Sequence, residues 1–202
     1  MPDALSERDR LLALTTDYVL EHGVAELTLR RLGQAIGTNN RMLLYYFGSK
    51  EQLITAVLRA AGDRFPEVAR ALEFQRPDET MTVEAHLTDT WNAIAAEENL
   101  PMLRMFFEVF GLAMQQRGRF DDFLELVNRE WRDHVTRWLA RTGVPAPQAE
   151  DLAREIVGLW RGLQMELVSG SDRSAVDRTH AIAAASIAER ARQALRTPSH
   201  HG

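Results

Sequence analysis

The chain has 202 residues and no cysteine, so disulfides, thiolate metal sites and cysteine nucleophiles are excluded. Hydrophobic residues at 45% and charged residues at 26% are those of an ordinary globular protein. A chain of this length buries about 70% of its unfolded surface without a staple. The net charge is −5, which on its own argues against a nucleic-acid partner. Its distribution argues the other way. Residues 1–50 hold six acids and six bases, but every acid lies before Thr28, while Arg30, Arg31, Arg41 and Lys50 lie after it.

The polar start MPDALSERDR does not read as a signal peptide, and no apolar run approaches the ~20 residues that span a bilayer. The expectation is a soluble, cytoplasmic protein with no membrane partner. Ser6 to His22 predicts a first helix with Leu11, Leu12, Thr15, Tyr18 and Val19 near one face and Gly23 as its stop. Leu29, Leu32, Ala35 and Ile36 recur at helical spacing after Thr28, a cap candidate. Gly37 follows where a positive φ turns the chain, and Asn39 to Phe47 forms a third helix with Leu43, Tyr46 and Phe47 inward. Gly33 sits inside the second helix, where glycine costs about 1 kcal/mol relative to alanine and is tolerated if a crossing helix comes close. Two short helices and a tight turn make a helix-turn-helix.

Ser49 is the cap candidate of a fourth helix running towards Leu72, with Leu53, Ile54, Val57, Leu58 and Ala61 inward and Pro66 bending it. The stretch from Gln75 to Thr80, with Pro77, is the best boundary. Beyond it everything reads as helix: Met81 to Glu98, an apolar helix with Pro101 in its first turn, Phe120 to Thr142, Gln148 to Val168, and a last helix opened by Ser174 and Asp177 as a capping box. The expected architecture is all-α, about nine helices: a helix-turn-helix domain over 1–50, a connecting helix over 51–76, a larger domain over 77–197 and a flexible tail over 198–202.

From Leu11 to Leu58 the sequence resembles the DNA-binding domain of TetR-type (TetR/AcrR) transcriptional regulators. The resemblance rests on Gly23, Thr28-Leu29, Gly37, Leu43, Tyr46-Phe47, and Ser49-Lys50-Glu51 with Leu53. Leu44 stands where the family usually has a tyrosine that touches the DNA backbone, with Tyr45 beside it. Arg41 takes a place often held by glycine, and Gly48 one often held by proline. The resemblance implies a homodimeric regulator of double-stranded operator DNA, with a small-molecule effector held in the larger domain.

Thr38, Asn39, Asn40 and Arg41 form the turn that meets base edges in such motifs. Asn can pair with adenine and Arg with guanine, each worth about 1–3 kcal/mol of discrimination. Asn39 serves equally as a mere cap. Tyr45, Lys50 and the amide at Thr28 are phosphate-contact candidates, which fix register without reading sequence, and Arg30 is a further DNA-binding candidate.

Trp91, Met102, Met105, Phe106, Phe110, Trp131, His134, Trp160 and Gln164 are candidates to line an effector pocket, since soft and aromatic side chains suit an apolar ligand. Leu152, Ile156, Leu159 and Leu163, with Ala184, Ile187 and Ala191, are candidates for a four-helix dimer interface; covering their own core is the alternative. No catalytic constellation, phosphate loop or metal-ligand cluster is visible, so neither enzyme activity nor a cofactor is expected. A repressor released by a largely apolar ligand is the expected function. An activator, or a ligand-binding protein with a degenerate DNA module, remains open.

Overall fold

The computed structural model describes residues 6–64, 81–116 and 118–196. The expected bend at Pro66, the end of the fourth helix at Leu72, the boundary over 75–80 and the tail over 198–202 lie outside them. All the regular structure among the described residues is helical, with no strand among them. The helices are α1 (Glu7–His22), α2 (Leu29–Ala35), α3 (Asn40–Phe47), α4 (Lys50–Arg64), α5 (Val83–Ile94), α6 (Leu100–Gln115), α7 (Asp121–Glu125), α8 (Trp131–Arg141), α9 (Ala146–Val168) and α10 (Arg173–Arg196). A π-helical turn (Leu126–Glu130) joins α7 to α8 without a break, so counting that run once gives nine helices among the described residues.

The helix ends follow from side chains. Ser6, Thr28, Asn39 and Thr82 each accept a backbone N–H at the start of α1, α2, α3 and α5. Ser49 does the same for Gln52 in the first turn of α4. Two ends differ from expectation. Helix α9 starts at Ala146 rather than Gln148, because Pro147 fits a first turn, where its missing N–H has no intrahelical partner to lose. Helix α10 is capped by Asp172, whose carboxylate takes the amides of Ser174 and Ala175. Asp177 is occupied elsewhere, accepting from Trp91 Nε1 at 2.8 Å.

The chain forms two compact units, Met1–Pro66 with Pro101–Glu125, and Glu67–Leu100 with Leu126–Gly202. Both units are discontinuous in sequence, because α6 and α7 cluster with the N-terminal helices. In the first unit α1 packs on α4 and α2 on α3. Its core includes Leu11, Val19, Leu32, Leu43, Leu53, Ile54 and Val57. In the second, α9 packs on α8 and α10, and α10 on α5. No helix among the described residues is long and apolar enough to cross a membrane.

Candidate nucleic-acid interface

Thr28 caps α2 by accepting the Arg31 amide at 3.2 Å, and Asn39 caps α3 by accepting the Met42 amide at 3.0 Å. The cap reading of Asn39 is therefore the one its side-chain oxygen fulfils. Between the helices the chain turns at Gly37, with φ +73°. Gly33 has a separate role. A Cβ there would lie 3.1 Å from both Asn39 Cα and Thr38 O, so a side chain would press the α3 entry away from α2, and glycine lets the two sit close. This is the close crossing that the mid-helix glycine predicts.

The motif buries Leu32, Leu43 and Phe47, while Ala35, expected on the apolar face, is exposed. Arg30, Asn40, Arg41 and Tyr45 are exposed, Tyr45 by 77%; Thr38 and Lys50 are half-buried. Arg31 reaches Glu26 at 3.8 Å, whereas Arg30 and Arg41 pair with no acid among the described residues. The first turn of α3 thus offers an amide, a free guanidinium and uncapped backbone N–H groups to one region of solvent. Such a turn can pair with base edges and phosphates.

One residue with no expected role holds this module. Glu108, in α6, accepts the Val24 amide in the α1–α2 loop at 2.7 Å. A second polar link joins Arg119 to Glu51 at the start of α4, also at 2.7 Å. The available signal was that Glu108 is the lone acid in the apolar run PMLRMFFEVFGLAMQ.

The expected pocket residues fall in both units. Met102, Met105, Phe106 and Phe110 lie on α6, where Phe106 and Phe110 stack at 6.1 Å and meet Phe123 edge-on. Trp91, Trp131, His134, Trp160 and Gln164 belong to the second unit. There Trp91 stacks on buried His180 at 4.9 Å, and Trp160 donates to His180 Nε2 at 3.2 Å. His134 departs from the aromatic set. Its Nδ1 lies 2.7 Å from Glu130 O, and it lines a polar surface groove of about 650 Å³ with Arg132, Asp133, Arg137, Glu150 and Arg154.

Of the expected interface residues, Leu152, Ile156, Leu163, Ala184, Ile187 and Ala191 are buried within the chain and Leu159 is half-buried. They make the inner seam of α9 and α10, which is the core reading of that stripe. The outward positions are others: Gly158, Gly162 and Met165 on α9, Ile182 on α10.

Residues 11–57 match the family described as bacterial regulatory proteins, tetR family. No curated protein matches the chain by sequence. Among solved structures, a transcriptional regulator from Rhodococcus sp. RHA1 is similar with a TM-score of 0.71 at 16% identity, covering 92% of this chain and 97% of its own. GusR of Salmonella enterica gives 0.68 at 18% identity, over 98% and 99% of the two chains. A TetR variant from Acinetobacter baumannii AYE in complex with minocycline gives 0.62 at 17% identity, over 96% and 99%. The N-terminal module thus matches the tetR family of bacterial regulatory proteins, and the fold of the chain is that of solved structures described as transcriptional regulators.

Proposed function

We propose that the protein is a homodimeric transcriptional repressor that reads operator DNA with α3 and leaves it when a small molecule binds. The observation that carries the DNA reading is the exposed first turn of α3, where Arg41 stands free in a stretch from Thr28 to Lys50 that contains no acid. Arg41 reads a guanine edge in the major groove, Asn40 a neighbouring base. Tyr45, Lys50, Arg30 and the Thr28 amide take phosphates.

A single short helix makes few contacts, so specific binding calls for two copies on half-sites about 34–36 Å apart. The outward faces of α9 and α10 support pairing. Gly158 and Gly162 stand one turn apart with nothing within 4 Å of an added Cβ, and Met165 and Ile182 are 51% and 74% exposed. Small residues beside exposed apolar ones permit close helix approach. A minocycline-bound structural neighbour supports the effector half of the reading. The effector acts by favouring dimers whose recognition helices no longer fit successive grooves.

Gly162→Arg tests the arrangement, because the chain itself has room for the side chain. The expected variant is folded but monomeric by analytical ultracentrifugation, and gives no two-half-site footprint on the DNA upstream of its gene. A variant that stays dimeric with an unchanged footprint removes this interface from the account.

A further inference from the structure

The buried polar atoms of the second unit that lack a hydrogen-bond partner include Gln164 Oε1 and Arg161 Nε. Gln164 is 3% exposed, and its side-chain oxygen is buried. The residues stand three apart on α9 and therefore on one face, with Cβ atoms about 5–6 Å apart. Native interiors keep few such orphans, and each asks for a reason.

The surrounding polar groups are satisfied. The terminal nitrogens of Arg161 donate to Val127 O and, at 3.2 Å, to Asn128 Oδ1, both in the π-helical turn. Its guanidinium lies over the Trp131 ring, 5.9 Å from the centroid. Trp160, one helical turn before Gln164, donates to His180. Trp91 donates to Asp177, which Arg173 holds at 2.8 Å while also donating to Ala95 O. Within this network Arg161 Nε, a donor, and Gln164 Oε1, an acceptor one helical turn away, remain unused.

We propose that Gln164 and Arg161 form the polar recognition pair of the effector site, and that the ligand is an aromatic or apolar body bearing a carboxamide-type group. The ligand N–H donates to Gln164 Oε1, and its carbonyl oxygen accepts from Arg161 Nε. Trp131 and Trp160 flank the pair and suit an aromatic body. A bare hydrocarbon leaves both atoms orphaned, and a carboxylate brings no donor to Gln164 Oε1. The inference rests on the effector reading above and narrows its largely apolar ligand to one with a specific polar end.

The test uses the full-length protein, its Gln164→Met variant, and three shape-matched probes: 2-naphthamide, 2-naphthoate and 2-isopropenylnaphthalene. Binding is read by calorimetry and stability by thermal melting. Wild type is expected to bind the amide at least about tenfold tighter than either other probe. Gln164→Met is expected to lose that preference and to melt no lower than wild type, since methionine removes an acceptor that supports no fold contact. A lower melting temperature, a persisting amide preference, or wild type that binds no probe or prefers another overturns the proposal. A Gln164-dependent amide preference without release of operator DNA leaves the pair standing and removes the effector reading. A compound that releases operator equally from wild type and Gln164→Met does the reverse.

Discussion

The Glu108 carboxylate accepts the Val24 amide at 2.7 Å and faces the backbone of Gly23 so closely that a Cβ there would lie 2.7 Å from Oε2 and 2.8 Å from Oε1. Gly23 thus meets two demands, a φ of +74° and room for a carboxylate from α6. The loop that leads into α2 is set by a residue 84 positions away. Glu108→Ala is expected to destabilise the first unit by about 1–2 kcal/mol, the worth of a charge-assisted bond at a partly wet site. Glu108→Gln, which keeps an acceptor, is expected to recover most of that. Urea midpoints decide it, and equal midpoints for all three proteins remove the clamp.

Gly33→Ala is expected to cost about 1–3 kcal/mol, because the new methyl meets backbone at 3.1 Å and backbone does not yield as a side chain does. Gly37→Ala is also costly, through φ +73° rather than through contact. The two separate by structure: Gly33→Ala pushes the Thr38–Asn39 backbone away from α2, whereas Gly37→Ala strains the φ of the turn residue itself.

The DNA module was the most legible part of the sequence, for physical reasons. Its caps, its turn glycine and its apolar set act within a few residues of one another, so local patterns state them. Thr28, Gly37, Leu43 and Ser49 behave as those patterns require. Long-range roles were not legible. Asp177 sits three residues after Ser174 and so imitates a capping box, yet its oxygens go to Trp91 and Arg173. The stripe from Leu152 to Leu163 shows that α9 has an apolar face but not which side of it meets solvent, and the structure turns that face inward. Gln164 is among the pocket candidates that the sequence offers. Its unpartnered oxygen is visible only in three dimensions.

His180 predicts a pH dependence of stability. Burial holds its imidazolium pKa down, to about 4, with Asp177 opposing weakly. The unfolded chain, with an ordinary histidine near 6.5, therefore binds more protons than the folded one between those values. Stability is fully present above about pH 6.5 and falls with pH at about 1.4 kcal/mol per unit through the window. His86, also lowered chiefly by burial, adds in the same sense. His180→Gln is expected to flatten the denaturation curve between pH 5 and 6.5, above the range where carboxylates such as Glu155 titrate. An unchanged slope places the effect elsewhere.

Arg41→Ala and Lys50→Ala are expected to differ in kind. The first loses about 1–3 kcal/mol on the cognate site and little on unrelated DNA, because it removes a base contact. The second weakens all DNA alike and lowers the salt slope by about 1. Competition titrations with cognate and scrambled duplexes separate the two. Equal losses on both duplexes for Arg41→Ala assign that residue to phosphate.

The most direct test of the central claim is binding of the purified protein to the DNA upstream of its own gene across a salt series, beside Arg41→Ala. The account predicts tight, sequence-selective binding whose logarithm falls linearly with the logarithm of salt, by about 0.9 per phosphate contact, on a site with two-fold symmetry. Weak binding indifferent to sequence, unchanged by Arg41→Ala, contradicts it.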